Sequence, residues 1–294
     1  MWRRNIYGAL RQRGVATAAG SLDSYLSGLW CACGITQIVG GYTGPAIRVR
    51  RNSDNAEEDI YLTGSGVLDT AALAAFAGSI DTHVKTFYDQ TGQGNHFSHA
   101  TTTRQPRISA GGVYDGFLRF DGGNDCLQSV NASGTPSTMS AFIKGALRVS
   151  NVTQIILEQN AVFPAAAKNL FLYYSTGSIG DGKTNLAWSE GAGNYVENFY
   201  LPFLADNVHG AVIDRSQTTA SLEARLYVSG TGEVAYVSTT PTGSNPTGNF
   251  TAETWNFGAR NGGASLPTSL NAYSLVIYEA NKNSDAAAIC NALA

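Results

Sequence analysis

Asp89, Gln90 and Asn95 bring several oxygen-bearing side chains together in one glycine-rich run, Phe87-Tyr88-Asp89-Gln90-Thr91-Gly92-Gln93-Gly94-Asn95-His96. Asx side chains accept hydrogen bonds from nearby backbone N–H groups and glycines take positive φ, so the run reads first as a structural turn. The same oxygens are hard ligands suited to calcium, although their spacing is not that of an EF-hand. No other cofactor is expected. The four histidines are His83, His96, His99 and His209. His96 and His99 stand three residues apart near Asp89, but no third histidine or cysteine lies close in sequence, so no metal centre is expected. There is no GxSxG elbow to fix a serine nucleophile, and the glycine-rich runs ISAGGVYDG and ARNGGAS lack a phosphate-loop lysine. Trp188, Tyr195 and Trp255, with Tyr173, Tyr174 and Tyr200, carry rings that stack on sugar faces, and are candidates for glycan binding. Packing in a core is the competing use of the same rings.

The elements that must position these residues are mostly strands. In GPAIRVRR, Ile47 and Val49 alternate with Arg48 and Arg50, and in HVKTFYDQ, Val84, Thr86 and Tyr88 alternate with His83, Lys85 and Phe87. Between them LDTAALAAFAGS predicts a short helix over Leu68–Ala77, capped by Asp69 and stopped by Gly78. Beyond Gly111 nine strand-like runs follow, separated by Gly, Asn, Ser or Pro turns, which predicts a sandwich of two antiparallel sheets. Ala224, Leu226 and Val228 would face its core, with Glu223, Arg225 and Tyr227 on the wet side. A last short helix is expected in NSDAAAICNALA, capped by Ser284 or Asp285.

The chain has 294 residues, 19 Lys and Arg against 22 Asp and Glu, and a formal net charge of −3, so no basic excess is available for nucleic acid. No run of 18 apolar residues predicts membrane insertion. The four cysteines, Cys31, Cys33, Cys126 and Cys290, are too scattered for a disulfide framework and are expected as free, buried thiols, which leans towards a reducing cytoplasm. Residues 1–40 read as a separate segment. Trp2, Ile6 and Leu10 recur at helical spacing among Arg3, Arg4, Arg11 and Arg13, and the arginines interrupt any secretion signal. A docking arm for a partner protein is expected there, with the sandwich domain occupying 41–294, its lead-in 41–125 and its main strands 126–294.

The stretch from Tyr42 to Asn55, the run Phe87–His96 and the helix between them resemble the opening of the α-L-arabinofuranosidase B catalytic domain. The same stretches, followed by Arg119-Phe120-Asp121-Gly122, are also similar to bacteriophage virion proteins with a concanavalin A-like or laminin-G-like domain. Both resemblances imply an all-β, concanavalin A-like antiparallel β-sandwich (jelly roll) with a short α/β lead-in. The enzyme resemblance implies two carboxyl groups about 5 Å apart, a nucleophile and an acid/base. It places the nucleophile after a vicinal cysteine pair, and the corresponding strand here, Thr153–Asn160, has no such pair. Glu158 is the carboxylate near that position, and Asp181 and Glu190 are the loose candidates for the acid/base.

The expectation drawn from the virion resemblance is a structural protein of the particle, a head or tail decoration, fibre or appendage. It would be assembled in the host cytoplasm as a homo-oligomer, docked on other virion proteins through the arm, with cell-surface glycans as candidate ligands and no enzyme activity. The alternatives are an arabinofuranosidase-like glycoside hydrolase and a free carbohydrate-binding module.

Overall fold

A computed structural model describes residues 19–148, 152–159, 206–217, 223–234 and 248–294, and the backbone pairing of four further strands, Leu170–Ser175, Lys183–Glu190, Gly193–Phe199 and Tyr236–Thr239. The expected antiparallel β-sandwich is observed. In one layer, Gly232–Val234, Ala224–Val228, Asn207–Asp214, Thr138–Leu147 and Ser269–Tyr278 lie side by side. In the other, Leu127–Ser129 pairs with Trp255–Phe257, followed by Gln154–Gln159 and the four strands given above.

The period-2 geometry of strands explains how the first layer is buried on both faces. Met139, Ala141 and Ile143 point into the core between the layers, with Ile156, Leu157, Trp255 and Phe257 opposite them. Phe142, between Ala141 and Ile143, points the other way, into a second apolar cluster with Val212, Tyr227, Val276 and Tyr278. That cluster is closed by the C-terminal helix Ala286–Leu293, through Ile289, Cys290 and Leu293. Asp285 precedes this helix without a side-chain cap bond. The face carrying Glu223 and Tyr227, expected to be wet, is therefore covered, and both residues are buried.

The lead-in strands form a sheet that is continuous with both layers. Glu57–Tyr61, Pro45–Arg51, Thr82–Phe87, Arg107–Ala110 and Val113–Asp121 pair in that order, all antiparallel. Val113–Asp121 continues onto the first half of Ser269–Tyr278, while Phe97–Ser98 bridges from Thr86 and Phe87 to Leu127–Ser129. The helix is Thr70–Ala77, and Asp69 caps it by accepting the Ala72 N–H at 2.9 Å. Gly78 ends it at φ 60°, where its own N–H still reaches the Ala74 carbonyl.

The boundary expected at residue 40 is not a structural one. Leu29–Gly34 is an interior strand, buried at all six positions, and it pairs with the second half of Ser269–Tyr278. Leu22 and Ile38 are buried in the second cluster beside it. The apolar residues of 19–40 thus cover the sandwich itself and not a neighbour. Residues 1–18, which hold Trp2 and the arginines, lie outside the described residues. All four cysteines are free and buried, as expected.

Candidate functional site

The run 87–96 folds as a turn whose side chains grip the leading strand. Asp89 Oδ1 accepts the N–H groups of Ala32 and Thr91, both at 3.0 Å, while Oδ2 accepts the Thr91 hydroxyl at 2.6 Å and the Asn95 N–H at 3.1 Å. Gln90 Oε1 accepts the Ile38 N–H at 2.7 Å, and its Nε2 donates to the carbonyls of Gly34 and Thr36. Asn95 Nδ2 donates to the Trp30 carbonyl at 2.6 Å. Gly92 and Gly94 take φ of 80° and 81°, a region that side-chain-bearing residues seldom adopt. The oxygens proposed for calcium are thus engaged by protein donors, as the structural reading of the motif requires. His96 and His99 are engaged likewise, their Nδ1 atoms accepting the N–H groups of Asp89 and Thr101. Among the described residues no group of three metal-ligating side chains converges.

Glu158 sits on Gln154–Gln159, every residue of which is buried. Its Oε1 accepts from Arg260 Nε at 2.9 Å, and the Glu158 side chain is fully buried. Asn256 lies opposite it on the neighbouring strand and accepts from Gln128 Nε2 at 2.8 Å. The guanidinium gives the buried carboxyl a partner of opposite charge at hydrogen-bonding distance. Asp181 lies outside the described residues, as does the side chain of Glu190, whose backbone pairs with Gly193.

Trp188 and Tyr195 are cross-strand partners in the second layer, with side chains outside the described residues. Trp255 is fully buried in the interlayer core, so its ring is not available to a sugar.

A polar cavity of about 360 Å³ in the lead-in sheet was not anticipated from the sequence. Arg50, His83, Arg107 and Arg119 come from four adjacent strands and form one row, each opposite the next in register. Asp81, Asp121 and Asp125 share the cavity wall with Gln105. Arg107 is paired with Asp115 at 2.9 Å. Arg50 is buried, and its guanidinium donates to neutral acceptors on Gln105, Asn52, Asn55 and Thr102. Asp125 Oδ2 accepts the Asp121 N–H at 2.9 Å, and burial together with the charge of Asp121 pushes its carboxyl up to about 7. Burial, then Arg50, push His83 below the ordinary imidazole value. The only sequence signal for this cavity was the alternation that put Arg50 and His83 on the faces opposite Val49 and Val84.

The fold is an antiparallel β-sandwich, and comparison with known proteins narrows the kinship. Residues 29–119 match the family model described as α-L-arabinofuranosidase B, catalytic. The chain is 38% identical over 91 residues to an α-L-arabinofuranosidase of Hypocrea jecorina, covering 30% of this chain and 18% of that relative. It is 37% identical over 92 residues to a probable α-L-arabinofuranosidase B of Aspergillus terreus, covering 30% and 18%. Among solved structures, a GH54 α-L-arabinofuranosidase soaked with a cyclic sulfate inhibitor superposes with a TM-score of 0.67 at 15% identity, covering 93% of this chain and 65% of that one. An arabinofuranosidase complexed with arabinofuranosyl-α-1,2-xylobiose gives 0.66 with the same identity and coverage. The chain thus shares the sandwich over nearly its whole length, and matches the family in sequence over its lead-in.

These findings overturn the expectation of a virion head, tail or fibre protein: the relatives found are glycoside hydrolases. Residues 19–40 of the expected docking arm, moreover, are integral to the sandwich.

Proposed function

We propose that the chain is a carbohydrate-active module of the arabinofuranosidase B kind, a glycoside hydrolase acting on α-L-arabinofuranosides. The observation that carries this is the family-model match over residues 29–119, which hold most of the lead-in sheet and its 89–96 turn, together with 38% identity over 91 residues to an α-L-arabinofuranosidase. Retaining hydrolysis pairs an ionised carboxylate, which attacks the anomeric carbon, with a protonated one, which delivers a proton to the leaving oxygen. Glu158, beside Arg260, is the candidate for the first role. Asp181 and Glu190 are the candidates for the second.

The test is release of 4-nitrophenol from 4-nitrophenyl α-L-arabinofuranoside by the full chain. Release by the wild type, abolished in Glu158→Gln, is the expected result. No release above the blank overturns the hydrolase reading.

One observation favours a second reading, a carbohydrate-binding module without hydrolysis. The Glu158 carboxylate is fully buried and spanned by Arg260, an arrangement that also serves a purely structural ion pair. Binding of arabinofuranosyl-xylobiose by a chain that releases no pentose would select this reading.

A further inference from the structure

We infer that the cavity lined by Arg50, His83, Gln105, Arg119, Asp121 and Asp125 is a binding site for a neutral sugar, separate from Glu158, which is not in its wall. The inference stands on the cavity itself and not on the hydrolase reading.

Its first support is the cross-strand row. Like charges directly opposite one another destabilise a sheet, and here Arg107 and Arg119 face each other with His83 and Arg50 in line beyond. A sheet built only for stability has no use for such a row. Asp115 compensates Arg107 from one side, and Asp81, Asp121 and Asp125 stand in the same cavity wall.

The balance of signs selects the ligand. An anion entering the cavity meets Asp81 and Asp121, and a cation meets Arg50, Arg107 and Arg119, so each finds like charge in the wall. A neutral ligand avoids both penalties. It must also offer donors to the carboxylates and acceptors to the guanidinium groups, side by side. A sugar hydroxyl does both, with one donor and two acceptor lone pairs. The wall carries no Phe, Tyr or Trp ring and no aliphatic residue, which excludes a ligand held mainly by apolar contact. At about 360 Å³ the space is within the range of small-molecule sites.

The lining is also fixed in advance. Gln105 is buried and held at both ends, its Oε1 accepting from Arg50 Nε at 2.8 Å and its Nε2 donating to the His99 carbonyl at 2.8 Å. Asp125 is held by the Asp121 N–H.

The experiment is binding of the full-length chain to an array of neutral and carboxylated glycans, repeated with inorganic phosphate as an anionic competitor. Asp125→Asn keeps the acceptor for the Asp121 N–H but removes the charge. Thr103→Trp puts a large ring at the rim from an exposed position, without touching the buried network. The expected result is binding to neutral glycans that phosphate does not displace. It should weaken at least tenfold in both variants, with their unfolding midpoints no lower than that of the wild type. Absence of any bound neutral glycan, binding unchanged in both variants, or displacement by phosphate would overturn the inference. Glu158→Gln separates the two sites: it should abolish hydrolysis and leave this binding unchanged.

Discussion

Asp89 Oδ1 accepts the Ala32 N–H at 3.0 Å across 57 residues of sequence, and this bond ties the glycine-rich turn to the buried strand Leu29–Gly34. The carboxylate accepts three further hydrogen bonds within its own turn, so one buried side chain organises two segments. Its role is architectural, and a cation ligand would have to compete with all four donors.

Asp89→Ala should therefore be among the more damaging single changes in the lead-in. It removes four acceptor contacts and leaves buried N–H groups unmatched, for a loss of about 3 kcal/mol or more. Urea unfolding followed by tryptophan fluorescence measures it. Added calcium should not shift the wild-type midpoint; a calcium-dependent gain that Asp89→Ala abolishes would show a cation loop instead.

Asp125 makes stability depend on pH. Its carboxyl titrates near 3.8 when unfolded and near 7 when folded. Between those values the folded chain holds the extra proton, so this residue's contribution to stability falls as pH rises from about 4 to 7 and is fully lost above that. Asp125→Asn should raise the melting temperature at pH 8 by several degrees and leave it nearly unchanged at pH 4. An equal shift at both pH values would show that the effect is packing and not ionisation.

His209 acts at the other end of the scale. It is fully buried on Asn207–Asp214, and burial pushes its imidazole down from 6.5 to about 3. The unfolded chain takes up the proton first, so stability is unaffected above about 6.5 and declines as pH falls from there towards 3. The loss between pH 7 and pH 4.5 attributable to this residue is on the order of 2 kcal/mol. His209→Gln should remove about that much of the acid sensitivity, read from urea midpoints at the two pH values.

The four thiols should be silent in the folded protein. Burial pushes Cys126 and Cys290 up to about 12 and raises Cys31 and Cys33 as well, and a thiol rather than a thiolate reacts slowly. A disulfide-exchange reagent should label none of them at pH 8 until denaturant is added, and then all four. Fast labelling of Cys31 or Cys33 in the native state would show that the leading strand opens.

What the sequence disclosed follows from local rules, and what it hid depends on distant neighbours. Ile47, Val49 and Val84 are in the core as their alternation required. The same alternation put Tyr227 outside, yet Tyr227 is buried because the helix Ala286–Leu293, about sixty residues later, covers that face. The leading strand was misjudged for a related reason. Leu29–Gly34 is buried on both faces and has no period of two to display, so its apolar run gave no hint that Ser269–Tyr278 would receive it. The cavity escaped notice because Arg50 and Arg119 meet only through the register of the strands between them. Trp255 looked like a sugar platform by its type alone, and its burial follows from its place between Leu127–Ser129 and Gln154–Gln159.

The Glu158–Arg260 pair separates a catalytic role from a structural one by its mutational pattern. Removing Arg260 alone leaves a fully buried carboxylate without its guanidinium, and Arg260→Met should cost about 3–5 kcal/mol. Replacing both partners, Glu158→Gln with Arg260→Met, removes the charge as well as its counter-charge and should recover most of that loss. If the pair serves hydrolysis, the recovered double variant is stable and releases no 4-nitrophenol, because the ionised group is gone. If the pair is only structural, the double variant keeps whatever release the wild type shows. Stability from urea unfolding and turnover from the chromogenic assay, measured on the same preparations, decide between the two.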